Sequence, residues 1–260
     1  MTPLSTRELQ PEDLWGYAKR LRFVREAIRD SFGSRPGLRV LDIGCGNGSQ
    51  LAIPLAHDAR LKIVGIDTDA RSIEHAQRLS NAKANPVFVC APVTDISGEP
   101  PFDVVILSEV IEHLARPDEM LKSATRLLSR DGLLIVTVPN GYGEFEIDSW
   151  IFRLLRLQKI VDRFAKPSEV LAATDNFESG HIQFFTRRRL KRLFKDAGLV
   201  IFREGAASFL AGPVAGHFVA RSQRVIDWNA RITDRLPFLL ASGWYFALRR
   251  REPNQIGAAK

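Results

Sequence analysis

The sequence predicts an α/β protein built on a doubly wound, largely parallel sheet, and three observations predict it. From Arg39 to Asn140, short apolar runs alternate with segments of helical period, the pattern of strands joined by crossover helices. The runs themselves, such as Phe102 to Leu107 and Leu133 to Val138, are apolar at nearly every position, as strands covered on both faces are. The first run closes in Val40-Leu41-Asp42-Ile43-Gly44-Cys45-Gly46-Asn47-Gly48. Glycines at alternate positions cannot continue a strand; they make a tight turn in which backbone approaches a ligand that a Cβ would block.

Asp42 stands two residues before the first glycine, at the strand end, where a carboxylate faces a bound cation. The nonapeptide resembles the first motif of class I S-adenosylmethionine (SAM) methyltransferases. It departs from the nicotinamide fingerprint G-x-G-x-x-G, because Ser49 holds the third glycine's place and Gly48 comes one residue early. The resemblance covers about residues 38–140 and resumes at Gly180 to Gly205. It implies a seven-stranded, Rossmann-like sheet whose last strand, placed at Gly243 to Arg249, is antiparallel. It also implies a turn wrapped around the amino-acid end of SAM, with Asp42, Gly44, Cys45, Gly46 and Gly48 as cofactor contacts.

The elements follow in order. Pro11 to Phe32 has a helical stripe of Leu14, Tyr17, Leu21, Val24, Ile28 and Phe32, with Lys19, Arg20, Arg22 and Arg25 off it. The resemblance implies that residues 1–37 are a helical cover ahead of a cofactor-binding core at 38–140. Ser49 to His57 reads as a helix interrupted by Pro54. The second strand, Leu61 to Ile66, leads to Asp67, whose position suits a carboxylate that accepts both ribose hydroxyls, with Thr68 beside it. Asp69 caps the next helix, Ala70 to Ala84. Pro86 to Cys90 is the third strand, and its loop carries Asp95, set by the resemblance against the adenine amino group. The fourth strand ends at Ser108. Pro117 near a helix start and acids in the first turn open the helix that precedes strand five.

Residues 141–180 are longer than an ordinary connection and contain the amphipathic stretch Trp150 to Phe164, read as a substrate lid. In residues 181–260, Thr186 caps a helix that Gly198 stops, with Leu190, Leu193, Phe194 and Ala197 inward. Leu199 to Arg203 is strand six. A helical insertion at about 206–241 precedes the last strand.

Methyl transfer to oxygen requires the acceptor's proton to be removed, so polar groups are expected just beyond strand four. Glu109, Glu112 and His113 are there, and in a helix they would share one face; His181 follows the lid. Glu109, His113 and His181 are the expected catalytic residues, with Ser108 on the cofactor side. Glu-x-x-Glu-His plus a later His resembles the metal site of RNA 3′-terminal 2′-O-methyltransferases, which would make Glu109, Glu112, His113 and His181 ligands of Mg²⁺ or Mn²⁺. It also resembles the less metal-committed motif of ubiquinone-pathway O-methyltransferases. The chain lacks an aromatic-plus-basic ladder for stacking bases. The reading is therefore a SAM-dependent O-methyltransferase with a small or lipid-linked acceptor, quinone-like or glycan, and no obligatory metal. The alternatives are a metal-dependent RNA ribose 2′-O-methyltransferase, a nicotinamide oxidoreductase and a non-catalytic module.

Charge is uneven along the 260 residues. Residues 1–140 carry 17 Lys and Arg against 18 Asp and Glu, whereas residues 141–260 carry 20 against 12. The basic half points to an anionic partner: a phosphate-bearing acceptor, lipid headgroups of a membrane surface met peripherally, or nucleic acid, the last disfavoured by the missing base-stacking ladder. Two cysteines, Cys45 and Cys90, argue against a disulfide framework and fit a cytoplasmic location. No secretory leader and no apolar run of roughly 18 to 20 residues is read.

Overall fold

The computed structural model describes residues 17–80, 84–96, 101–140, 182–208, 228 and 241–251. Its elements are α1 (Tyr17–Phe32), β1 (Leu38–Ile43), α2 (Ala52–Leu55), β2 (Leu61–Asp67), α3 (Ala70–Leu79), β3 (Val87–Cys90), β4 (Phe102–Ser108), α4 (Pro117–Leu127), β5 (Leu128–Pro139), α5 (Arg187–Asp196), β6 (Leu199–Ala206) and β7 (Gly243–Arg250). The seven strands form one sheet in the order β3-β2-β1-β4-β5-β7-β6. All pairs from β3 through β5 are parallel, while β7 runs antiparallel to both β5 and β6. The α/β class and the mostly parallel seven-stranded sheet are as the sequence predicts. The lid stretch Trp150 to Phe164 and His181 lie outside the described residues, as does the insertion at 206–241 apart from its ends and Trp228.

Strand alternation divides the core between the two faces of the sheet. Val40, Val104, Ile106, Leu133 and Ile135 face α1, α2 and α3; Leu41, Val105, Leu107, Leu134 and Val136 face α4 and α5. On the first side Phe23 of α1 meets Tyr245 of β7, and on the second Phe194 of α5 meets Phe246 edge-on at 5.1 Å. One strand thereby anchors both helical layers. The helix caps follow the sequence: Asp69 accepts from the amides of Arg71 and Ser72, and Thr186 accepts from that of Arg189.

Four expectations are corrected. The buried face of α1 carries Lys19, Arg20, Phe23, Val24, Ala27 and Ile28, so the helix is rotated from the Leu21–Phe32 stripe and turns Arg20 inward. The helix expected over Ser49 to His57 is only the single turn Ala52–Leu55, because the glycine loop persists to Leu51. The helix after Asp69 ends at Leu79, capped by Ser80. Strand five begins at Leu128, not Leu133, since Asp131-Gly132 forms an irregularity within the strand rather than a turn before it.

Candidate active site

The ends of β1, β2, β4 and β5 converge at the C-terminal edge of the sheet, where ligands bind in open α/β folds. The glycine loop is fastened to β2. Gly44 and Cys45 both donate their amides to Ile66 O, at 2.8 and 3.0 Å. Gly46 N donates to Asp67 Oδ2 at 2.8 Å, and Asp69 N donates to Asp67 Oδ1 at 3.0 Å. Each Asp67 oxygen therefore accepts one backbone bond and keeps a second lone pair for a ligand. Gly44, Gly46 and Gly48 all have positive φ. Their neighbours differ: a Cβ on Gly44 would stand 2.7 Å from Val110 Cγ2, and one on Gly48 would stand 2.4 Å from the Phe88 ring. Packing on β3, rather than approach of a ligand, thus demands the third glycine.

Asp42 is buried at the end of β1, and its carboxyl is pushed up to about 7, first by burial and then by the neighbouring Asp67, with Arg20 pulling the other way. Burial also pushes the Cys45 thiol far above its ordinary range, helped by Asp42 and Asp67, so Cys45 is not a nucleophile here. Thr68 is exposed beside Asp67. Asp95 is exposed in the 3₁₀ turn Val93–Ile96 that follows β3.

Residues missing from the sequence reading stand at the centre. Arg20, 5 % exposed, donates to Gln50 Oε1 and Ser108 Oγ, each at 3.1 Å, and lies 3.3 Å from Glu109 Oε1. Its aliphatic stem packs with the core while the head meets polar groups. Thr137, at the end of β5, donates to Glu109 Oε1 at 2.8 Å and shares a 3.1 Å bond with Ser108 Oγ. Thr137 had a signal: it is the one hydroxyl in an otherwise aliphatic run. Arg20 had none, since a charged residue on an amphipathic helix reads as solvated.

Glu109, Glu112 and His113 do not share a helical face. Glu109 turns a corner at φ 55°, and Ile111–His113 is a single 3₁₀ turn. Glu109 consequently faces Arg20, while Glu112 points into the protein, wholly buried. Neither Glu112 oxygen has a hydrogen-bond partner among the described residues; His113 Nε2 lies 3.8 Å from Oε1. Burial, and then Glu109, hold the Glu112 carboxyl well above its usual range. Its carbonyl accepts the amides of Ile182 and Gln183 at 3.1 and 3.0 Å, which ties the chain leading into α5 to this edge. Among the described residues no group of three or more His, Cys, Asp or Glu side chains is arranged to hold a metal ion.

Glu112 carries a stability prediction. Its raised pKa means that the protonated form favours folding, an advantage fully present below about pH 4 and lost as pH rises through the folded value. Glu112→Met should therefore stabilise the protein by about 1–3 kcal/mol at pH 8, the cost of an unsatisfied buried polar group, and by much less near pH 4. Urea unfolding at both pH values measures the difference; equal gains would mean that charge at Glu112 is not the cause.

The fold and this edge define a class I methyltransferase architecture. The chain belongs to the methyltransferase-domain family, which it matches over residues 16–204. It is 35% identical over 131 residues to the ubiquinone biosynthesis O-methyltransferase of Caulobacter sp. (strain K31), covering 46% of this chain and 51% of that one. With the mitochondrial ubiquinone biosynthesis O-methyltransferase of Saccharomyces cerevisiae it is 29% identical over 178 residues, 62% of this chain and 55% of the other. This chain thus spans about half the length of these curated relatives. Among solved structures, the magnesium protoporphyrin IX methyltransferase of Synechocystis PCC 6803 with bound SAH, the demethylated product of SAM, has the same fold. The TM-score is 0.56 at 19% identity, over 91% of this chain and 84% of that one.

Proposed function

We propose that this chain is a SAM-dependent O-methyltransferase with a small or lipid-linked, quinone-like acceptor. The observation that carries the reading is the crowd of acids at one edge, Asp42, Asp67 and Glu109, with the buried guanidinium of Arg20 among them. Such an edge favours a ligand bearing two cationic groups and one carboxylate, as SAM does. Bound there, SAM supplies a methyl group on an already electrophilic sulfonium. Asp67 would hold the ribose hydroxyls through its two spare lone pairs. Asp42 would face the ammonium, Arg20 the carboxylate, the Gly44–Gly46 backbone the amino-acid end and Asp95 the adenine. Glu109 and His113 would orient the acceptor hydroxyl and receive its proton.

Two features support an apolar acceptor. The relatives are named for ubiquinone biosynthesis, and Ile182 and Phe184, 65 % and 44 % exposed, stand on the segment tied to Glu112. Calorimetric titration tests the cofactor half: SAM should bind and NAD should not, and the reverse would overturn the reading. Methylation of a hydroxylated, prenylated benzoquinol analogue tests the other half. Activity abolished by a chelator and restored by Mg²⁺ or Mn²⁺ would favour the RNA alternative instead.

We further infer peripheral contact with anionic membrane. Arg188, Arg192 and Lys195 lie at i, i+4 and i+7 on α5, all exposed. No helix among the described residues is long and apolar enough to cross a membrane. Each basic residue near an anionic surface adds about 1 kcal/mol. Co-sedimentation with phosphatidylglycerol vesicles should weaken with salt and with R188E/R192E; absence of binding at low salt would remove the membrane from this picture.

A further inference from the structure

Arg20 cannot leave its place, but one of its partners can. The guanidinium is buried, and α1 is fixed by Phe23, Val24, Ala27 and Ile28 in the core. A buried cation stripped of its acid is costly, so Arg20 needs a carboxylate at every moment. Glu109 provides it now, with a side chain 30% exposed on the corner between β4 and the 3₁₀ turn. That corner is the one non-glycine position with positive φ among the described residues, a conformation that persists only where the surroundings impose it. The imposing contacts are visible: Glu109 N donates to Thr137 O at 3.0 Å, and Thr137 Oγ1 donates to Glu109 Oε1 at 2.8 Å.

Building on the SAM reading of this edge, we propose that Glu109 is an internal competitor for the cofactor's carboxylate. Its carboxylate occupies Arg20 while the site is open; the carboxylate of the incoming cofactor takes the guanidinium and releases Glu109 toward the acceptor. Two carboxylates on one desolvated guanidinium face repel one another, and the one on the partly exposed Glu109 side chain, which water can solvate, gives way. Ser108 Oγ and Gln50 Oε1 hold Arg20 aimed through the exchange, since neither bond involves Glu109. The acceptor-side carboxylate is thereby delivered only when the cofactor is present. By linkage, anything that holds Glu109 on Arg20 weakens cofactor binding by the same factor.

The test is affinity, not turnover. SAH carries the same amino-acid carboxylate as SAM and is stable during calorimetry. Glu109→Gln removes the competing charge with almost no change of shape and should bind SAH about fivefold tighter or more than the unaltered protein. Thr137→Val, of nearly equal volume, removes the hydroxyl that helps hold Glu109 on Arg20 and should tighten SAH binding in the same direction by a smaller factor. If Glu109 merely orients Arg20 for the cofactor, both substitutions weaken binding or leave it unchanged, and the exchange is refuted. Should one variant fail to fold, the other decides. Absence of SAH binding in the unaltered protein would instead overturn the cofactor reading on which the exchange rests, which keeps the two failures apart.

Discussion

Replacing Asp67 by alanine should lower SAM affinity roughly ten- to a hundredfold, the loss of about 1.5–3 kcal/mol expected for hydrogen bonds to a charged group. The effect has two sources. One is the loss of both acceptors proposed for the ribose hydroxyls. The other is the release of the glycine loop, because Asp67 Oδ2 holds Gly46 N at 2.8 Å and Oδ1 holds Asp69 N at 3.0 Å. Asp67→Asn should be nearly as harmful. Whichever way its amide turns, an NH₂ group confronts one of those two backbone donors. Calorimetry on both variants checks this, and an affinity unchanged in Asp67→Ala would remove Asp67 from the ligand.

Cofactor affinity should also rise with pH, up to about tenfold per unit below pH 7 and levelling above it. Asp42 is the cause. Its folded pKa is raised to about 7, so in the ligand-free protein the protonated form contributes stability that is fully present below about pH 4 and lost as pH rises through 7. An ammonium group beside Asp42 favours the carboxylate, so binding expels a proton. Titrations between pH 5.5 and 8 in buffers of different ionisation heat would count that proton. Asp42→Asn should abolish both the pH slope and the proton release; a flat profile in the unaltered protein would mean that Asp42 is already ionised before ligand arrives.

Most of what could be read in the sequence was set by local chemistry. Gly44 to Gly48 end a strand because nothing else tolerates that backbone, and Asp69 and Thr186 cap helices by bonds to amides two or three residues away. The apolar character of β4 and β5 revealed central strands, and the antiparallel strand at Gly243–Arg250 emerged from resemblance. What stayed hidden depended on residues far apart in the chain. Arg20 looks solvated until Ser108 and Glu109, more than 80 residues away, supply its partners. Glu109, Glu112 and His113 suggest a helical face, but Glu109 N is bound to Thr137 O, and that bond to the neighbouring strand turns the corner before a helix can form. Phe88 decides the fate of Gly48 from another strand.

The place of β7 has a consequence for the order in which the molecule is made. It is the last of the described strands in the chain, yet it sits between β5 and β6, satisfying the backbone of both. Until residues 243–250 leave the ribosome, Leu134, Val136 and Val138 stand on an open sheet edge and β6 has no strand to join. Strand edges left open in this way recruit other chains. A nascent chain halted before Gly243 is thus a form of this protein in need of a chaperone, and β7 acts as the clasp that covers β5 and gives β6 its neighbour.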